Sequence, residues 1–287
     1  MFKIGIIGTE NSHAKKFATL FRDDPDFRDM QIVSVGGHYA ESNEKLCEEF
    51  NIGSIDSPEE MAGKVDAVII TARDGIYHAE FGRPFLEAGK PMFMDKPFTV
   101  DTSEAVDFVK EAKKRGVLMV GGSTLKCSYD TMMLADYVRR KGEDVKGGTV
   151  CAPILMDSPY SGFFFYASHL TETSLKVFGY DPKSVTAFRK GNDVTAYVEY
   201  DRYAVTNHFN DNCMSYFGQV FSKEGIYSRN IEYSLASKVM ATDFANMLRY
   251  GIMPESYEQL IYPVFYMNAV KESFESGKTV ELPKIEI

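Results

Sequence analysis

Three consecutive residues, Asp95-Lys96-Pro97, close a short apolar run (91–94) with the composition of a buried strand. An acid, a lysine and a proline are an unusual way to end such a strand. In open α/β sheets the carboxyl ends of the strands are where ligands collect. The proline removes a backbone donor and restricts Lys96 to extended geometry, or is joined to it by a cis bond. A lysine held in that way can reach into a cleft; the alternative is a solvated lysine before a turn proline. A second stretch with chemical potential is Gly8-Thr9-Glu10-Asn11-Ser12-His13, after the first apolar run. In a dinucleotide fold this turn carries phosphates against the amino end of the next helix. Gly8 supplies the first glycine of that fingerprint, but Glu10 and His13 stand at the second and third positions. Glycine lets the backbone approach a pyrophosphate, whereas glutamate brings bulk and negative charge. The acid that would hold a ribose at the end of the second strand is also missing, since Gly36-Gly37-His38 stands there. On this motif alone, a domain that binds a dinucleotide and one that binds nothing both stay open.

The elements that must position these residues alternate in type through the first half of the chain. Apolar runs at 2–7, 30–35, 65–71, 91–94 and 117–120 read as buried strands, and amphipathic helices fall between them. Ala14, Phe17, Ala18 and Phe21 give one helical face. Gly116 ends a helix begun after Asp101 or Thr102. After Gly121-Gly122 the pattern changes: a helix near 130–141, a loop-rich region, then 160–178. Runs at 185–188, 195–200, 204–209, 215–222 and 225–230 follow, reading as mostly antiparallel strands. Two helices (237–250 and 257–276) and a terminal strand (279–282) close the chain. The expected fold class is therefore α/β plus α+β: a parallel, doubly wound domain over 1–122, and over 123–287 a domain with a large, mostly antiparallel open sheet. A sheet with one uncovered face would expose its apolar pattern, so a homo-oligomer, dimer or tetramer, is expected through it.

Composition narrows the function classes. The balance of 44% hydrophobic and 25% charged residues is that of a globular protein. A net charge of -9 disfavours nucleic acid and anionic membranes as partners. No apolar run approaches the roughly 20 residues of a membrane span. No secretory signal is visible at the start, and the four dispersed cysteines read as reduced thiols of a cytoplasmic protein, not as a zinc or redox motif.

Val65-Asp66-Ala67-Val68-Ile69-Ile70-Thr71, then His78, Ala88-Gly89-Lys90-Pro91 and Asp95-Lys96-Pro97, resemble the Gfo/Idh/MocA oxidoreductases, whose hallmark there is Glu-Lys-Pro. The run 244–251, Pro254, Ala269, Ser273 and Gly277 are similar to the closing helices of that family, so the resemblance spans essentially the whole chain. It implies an amino-terminal Rossmann domain binding NAD or NADP, and a second domain whose sheet roofs the active site. The implied reaction is reversible hydride transfer at a carbinol carbon of a small sugar- or polyol-like molecule. Lys96 then corresponds to the active-site lysine of the family, orienting the reacting oxygen and favouring negative charge on it. A second signature, an aspartate four residues before a histidine on a helix, falls in 162–169; His169 fits, while Phe165 replaces the aspartate. Glu172, three residues on, lies on the same helical face and could orient the imidazole or raise its pKa. His169 is accordingly the candidate general acid/base, with a helix-surface or purely substrate-binding histidine as the alternative.

Tyr166 and Lys126 are the supporting candidates, Lys126 for an anionic or polyhydroxy substrate or else as a solvated lysine. Cofactor contacts are expected from Gly8, Thr9, Glu10, Asn11, Ser12, His13, His38, Thr71, Arg73, Asp95 and Lys96. His13 could equally serve a cap, His38 could simply end its strand, and Arg73 could pair with Asp74. His78 packs at the start of its helix, and His208 faces either cleft or solvent. No cluster makes a metal site. Two other readings compete with a dehydrogenase: a noncatalytic sensor or binding relative, favoured by the losses at Glu10, His38 and Phe165, and an enzyme using tightly held dinucleotide for elimination or hydrolysis.

Overall fold

The computed structural model describes residues 1–55 and 57–287. They divide into two compact units, Met1–Gly122 with Ser237–Ile261 and Ile287, and Ser123–Ala236 with Tyr262–Glu286.

In the first unit the strands are β1 (Phe2–Ile7), β2 (Met30–Gly36), β3 (Gly53–Ser54), β4 (Ala67–Ile70), β5 (Met92–Asp95) and β6 (Met119–Gly122). They form a parallel sheet in the order β3-β2-β1-β4-β5-β6, the doubly wound arrangement expected from the alternating pattern. β4 and β5 are buried at every position, which is why they read as unbroken apolar runs. The helices are α1 (Ser12–Asp23), α2 (Ala40–Phe50), α3 (Pro58–Ala62), α4 (His78–Glu87) and α5 (Thr102–Arg115). Ala14, Phe17, Ala18 and Phe21 are the buried residues of α1, and Phe17 meets Phe93 of β5 edge-on at 4.7 Å between ring centres. Asp101 caps α5 by accepting from the Glu104 N–H, and Gly116 ends it in the left-handed region at φ 68°.

The second unit contains α6 (Tyr129–Lys141), β7 (Val145–Ile154), α7 (Phe163–Phe178), β8 (Ser184–Lys190), β9 (Asp193–Glu199), β10 (Ala204–Asp211), β11 (Phe217–Ser222) and β12 (Gly225–Asn230). Further on come α8 (Ala236–Tyr250), α9 (Tyr257–Ser276) and β13 (Val280–Glu281). The second sheet has the order β12-β11-β7-β10-β9-β8-β13; β7 runs parallel to β10 and the remaining pairs are antiparallel. On β8 and β9, Val185, Ala187, Val194, Ala196 and Val198 point inward, while Phe188 and Tyr197 are 66% and 47% exposed on the other face.

Two features differ from the sequence reading. β7 lies at the centre of the sheet, yet its Gly147-Gly148 and Pro153 made it read as loop. Gly148 is required by packing, since a Cβ there would stand 2.3 Å from the ring of Phe178 and 2.4 Å from the Gln219 carbonyl oxygen. The stretch Ser237–Ile261, placed by the sequence reading in the second domain, clusters with the first unit. The reason is side-chain chemistry: Phe244 of α8 packs on Phe21 and Phe93, each at 6.3 Å. The Arg249 guanidinium donates to Asp29, and the ammonium of Lys238 stands 2.8 Å from both Asp24 and Asp26.

Candidate active site

The first unit brings the predicted phosphate turn against the loop after β4. Gly8 has φ +94°, and a Cβ on it would sit 2.1 Å from the Ala72 nitrogen. Gly37 has φ +129°, with its Cβ position 3.0 Å from the Gly8 nitrogen. Both positions demand glycine, and together they leave bare backbone at the carboxyl ends of β1 and β2. The Thr71 hydroxyl donates to the Gly8 carbonyl at 2.9 Å, and that of Thr9 donates to Asn43 at 2.6 Å. Glu10 accepts the Arg73 backbone N–H at 2.7 Å, and the Arg73 guanidinium donates back to the Glu10 carbonyl at 2.5 Å. The carboxylate that counts against a dinucleotide in the sequence is thus taken up by a backbone amide of the loop after β4. His38 packs its ring against Tyr77 and Phe81, at 4.8 and 4.6 Å.

Asp95 ends β5, fully buried, and one of its oxygens is shared by two residues of the phosphate turn. Asn11 donates to Oδ2 at 3.1 Å and Nδ1 of His13 lies 2.8 Å from it. Asn11 also caps α1 through the His13 N–H, so Ser12 and His13 start that helix with one donor already satisfied. Burial acts to raise the Asp95 carboxyl pKa, but His13, Lys96 and His78 outweigh it and hold the value at about 2. Lys96 follows, 4% exposed, and its bond to Pro97 is cis. It is therefore not a solvated side chain.

In the second unit His169 lies on α7. Its Nδ1 stands 2.7 Å from the Ser123 hydroxyl, and Tyr166 meets the ring edge-on at 5.4 Å. The Ser123 backbone N–H donates to Oε2 of Glu172 at 2.8 Å, and the Lys126 ammonium lies 3.4 Å from that oxygen. Sequence spacing pairs Glu172 with the imidazole; the structure joins both residues to Ser123. Lys126 and Glu172 are 4% and 3% exposed, a buried pair rather than a solvated lysine. Phe165 packs on Tyr160 and Tyr166 at 5.2 and 5.3 Å. Beyond His169, Tyr216 stands edge-on at 6.3 Å and Tyr233 edge-on to Tyr216 at 5.6 Å. Those two tyrosines, with Asn230 and Glu232, line a cavity of about 620 Å³. His208, on β10, lies 3.2 Å from the Thr195 hydroxyl, and burial lowers its pKa.

Residues 2–122 match the model of the oxidoreductase family with an NAD-binding Rossmann fold, GFO_IDH_MocA. Over these residues the chain is similar to the Gfo/Idh/MocA oxidoreductases. A search of curated protein sequences gives no match. Among solved structures, a myo-inositol dehydrogenase from Corynebacterium glutamicum ATCC 13032 is 16% identical over 99% of this chain and 100% of that chain, with a TM-score of 0.83. A scyllo-inositol dehydrogenase from Lactobacillus casei, solved with NAD(H) and scyllo-inositol, is 14% identical over 98% and 99%, at 0.84. GenD2 from gentamicin A biosynthesis, in complex with NAD, is 14% identical over 99% and 97%, at 0.86. At these identities the likeness is one of fold.

The first unit, over the residues that match the family model, fits a dinucleotide. The backbone is bare at Gly8 and Gly37, the Glu10 carboxylate is held by the Arg73 backbone N–H, and Oδ1 of buried Asp95 has no hydrogen-bond partner. What it lacks is a carboxylate at Gly36-Gly37-His38. Among the described residues no group of three or more His, Cys, Asp or Glu could hold a metal, and no helix is long and apolar enough to cross a membrane. Ser123, Tyr216 and Tyr233 were not singled out from the sequence. Ser123 had a usable signal, standing immediately after a strand that ends in Gly121-Gly122; the tyrosines had none, because tyrosine is common in this chain.

Proposed function

We propose that this chain is an NAD(P)-dependent dehydrogenase or reductase acting at a carbinol carbon of a small sugar- or polyol-like substrate. The observation that carries the proposal is Lys96: a lysine withdrawn from solvent at the carboxyl end of β5, in a domain of an NAD-binding oxidoreductase family. The solved structure from Lactobacillus casei that holds scyllo-inositol supports a polyol-like substrate. A nicotinamide held there would supply the hydride acceptor or donor. Lys96 donates a hydrogen bond to the reacting oxygen, and its charge favours the alkoxide-like state that forms as hydride departs. His169 takes the hydroxyl proton in oxidation and returns it in reduction. Ser123 suits that exchange, because a hydroxyl both donates and accepts and so anchors Nδ1 in either tautomer. Gly8, Thr9, Glu10, Asn11, Ser12 and His13, with His38, Thr71, Arg73 and Asp95, form the cofactor side.

Titration with NADH and NADPH followed by reduced-cofactor fluorescence, then turnover across a polyol panel, tests the proposal. Saturable binding with turnover on at least one polyol is expected; no binding of either nucleotide would end it. The exposed Phe188 and Tyr197 further support self-association through the second sheet. A double substitution to serine should then yield a smaller species by light scattering, and an unchanged mass would discard that face as the interface.

A further inference from the structure

His78 opens α4 with none of its surface exposed. Its two ring nitrogens both point at backbone carbonyls: Nδ1 is 2.7 Å from the Pro97 oxygen and Nε2 is 2.8 Å from the Ala72 oxygen. Carbonyl oxygens only accept. A neutral imidazole has one N–H and one lone pair, so it can satisfy one of these oxygens and must set its lone pair against the other. Only the imidazolium donates to both. In a dry site the mismatched contact would leave two buried acceptors facing each other, which costs more than an unmade bond at the surface.

Burial and the amino end of α4 both oppose a cation at this position. Two in-line acceptors work in its favour, and so does the nearby anion Asp95, also fully buried, whose ionised form the His78 ring helps to hold. The other charged groups around this cluster are accounted for. His13 lies on Asp95, Arg73 is tied to Glu10, and Asp74 caps the turn at the Ile76 N–H at 3.2 Å. Lys96 is the residue that immediately precedes Pro97.

The two carbonyls belong to the two loops that matter for the lysine. Pro97 follows Lys96, and Ala72 follows β4, whose loop continues through Arg73 to Gly75. The loops are in close contact, since a Cβ on Gly75 would lie 2.5 Å from the Pro97 ring. We propose that His78 is a buried imidazolium whose two N–H groups clamp the Lys96-Pro97 loop to the loop after β4, making it a positioning residue for Lys96. The role in turnover rests on the reading of Lys96 given above; the protonation state does not.

The direct test is long-range 1H–15N correlation spectroscopy of the full chain with 15N-labelled histidine at pH 7.5, His78 being assigned through His78→Gln. Protons on both ring nitrogens are expected; a single unprotonated nitrogen would overturn the proposal. His78→Gln carries its donors on one nitrogen and cannot bridge both carbonyls. It should therefore speed amide exchange at Phe98 and Thr99 and lower kcat by about tenfold, within the loss a slight misplacement of a catalytic group produces. Cofactor affinity should stay within threefold. Unchanged kcat and unchanged amide exchange in that variant would overturn the positioning role. If the wild-type chain turns over no polyol, the functional reading fails separately, while the spectrum and the exchange rates still decide the clamp.

Discussion

The two units each bury a carboxylate beside a lysine, and they satisfy it in opposite ways. Asp95, in the first unit, gives one oxygen to the side chains of Asn11 and His13, while its other oxygen has no hydrogen-bond partner. Glu172, in the second, takes the Ser123 backbone N–H and faces the ammonium of Lys126. Asp95 therefore leans on two side chains of the phosphate turn, and Glu172 on a backbone amide and an ammonium. Two of the side chains that depart from the pattern the sequence resembles, His13 and the shortened acid Asp95, are bonded to each other.

Removing the lysine that follows Asp95 gives the largest expected effect. Lys96→Ala should lower kcat/KM by about 10²–10³, the cost of losing one preorganised donor to a developing oxyanion. NADH affinity measured by fluorescence should move by only a few-fold, because the loss lies in the transition state. Turnover at the wild-type rate would take Lys96 out of the chemistry and leave the Asp95 surroundings as mere structure.

His169→Ala comes next, with an expected loss of about 10²-fold, typical of a positioned proton donor or acceptor. The informative measurement is the pH–rate profile, which should lose a limb in the variant. A uniformly lower curve of unchanged shape would make His169 a binding residue and move the proton work elsewhere.

Most of the first unit was legible in the sequence because the signals were local. Strands buried on both faces read as apolar runs, Asp101 and Gly116 punctuate a helix, and Lys96 is marked by its own neighbours. What was not legible depended on contacts far along the chain. The Arg73 backbone N–H meets the Glu10 carboxylate across 63 residues and His13 reaches Asp95 across 82, so a turn that looked defective for phosphate has its polar side chains tied to partners no window includes. β7 was missed because its glycines are dictated by residues far along the chain, Gly147 by the Ala204 carbonyl of β10 and Gly148 by Phe178 of α7. The attachment of α8 to the first unit was hidden likewise, since Phe244 is an ordinary helix residue until Phe21 and Phe93 are beside it.

The hold on the ionised Asp95 carboxylate can be measured as stability. The carboxyl sits at about 2 in the folded protein against an ordinary 3.8, so the ionised form favours the fold. The contribution is fully present above pH 3.8 and is lost as pH falls through 2; the shift corresponds to about 2 kcal/mol at neutrality. Asp95→Asn should lose roughly that amount in urea unfolding at pH 7. Its deficit relative to wild type should shrink toward pH 2. A deficit that stays constant down to that pH would mean the loss is one of packing, and the two carboxylates would then not differ in the way described.

The smallest effect separates the two jobs of Ser123 in the second unit. Its backbone N–H serves Glu172 and survives replacement by alanine; its hydroxyl serves His169 and does not. Ser123→Ala should therefore leave the buried Lys126–Glu172 pair intact and remove only the anchor of the ring, together with the acceptor for the Leu125 N–H. One hydrogen bond of about 1 kcal/mol corresponds to roughly a fivefold fall in kcat, and Ser123→Thr should restore most of it. The melting temperature should barely change, because the carboxylate keeps its backbone partner. If Ser123→Ala were as damaging as His169→Ala, the hydroxyl would be part of the proton path and not only its anchor. If it cost nothing, the orientation of the ring would have to come from the aromatic contacts of Tyr166 and Tyr216.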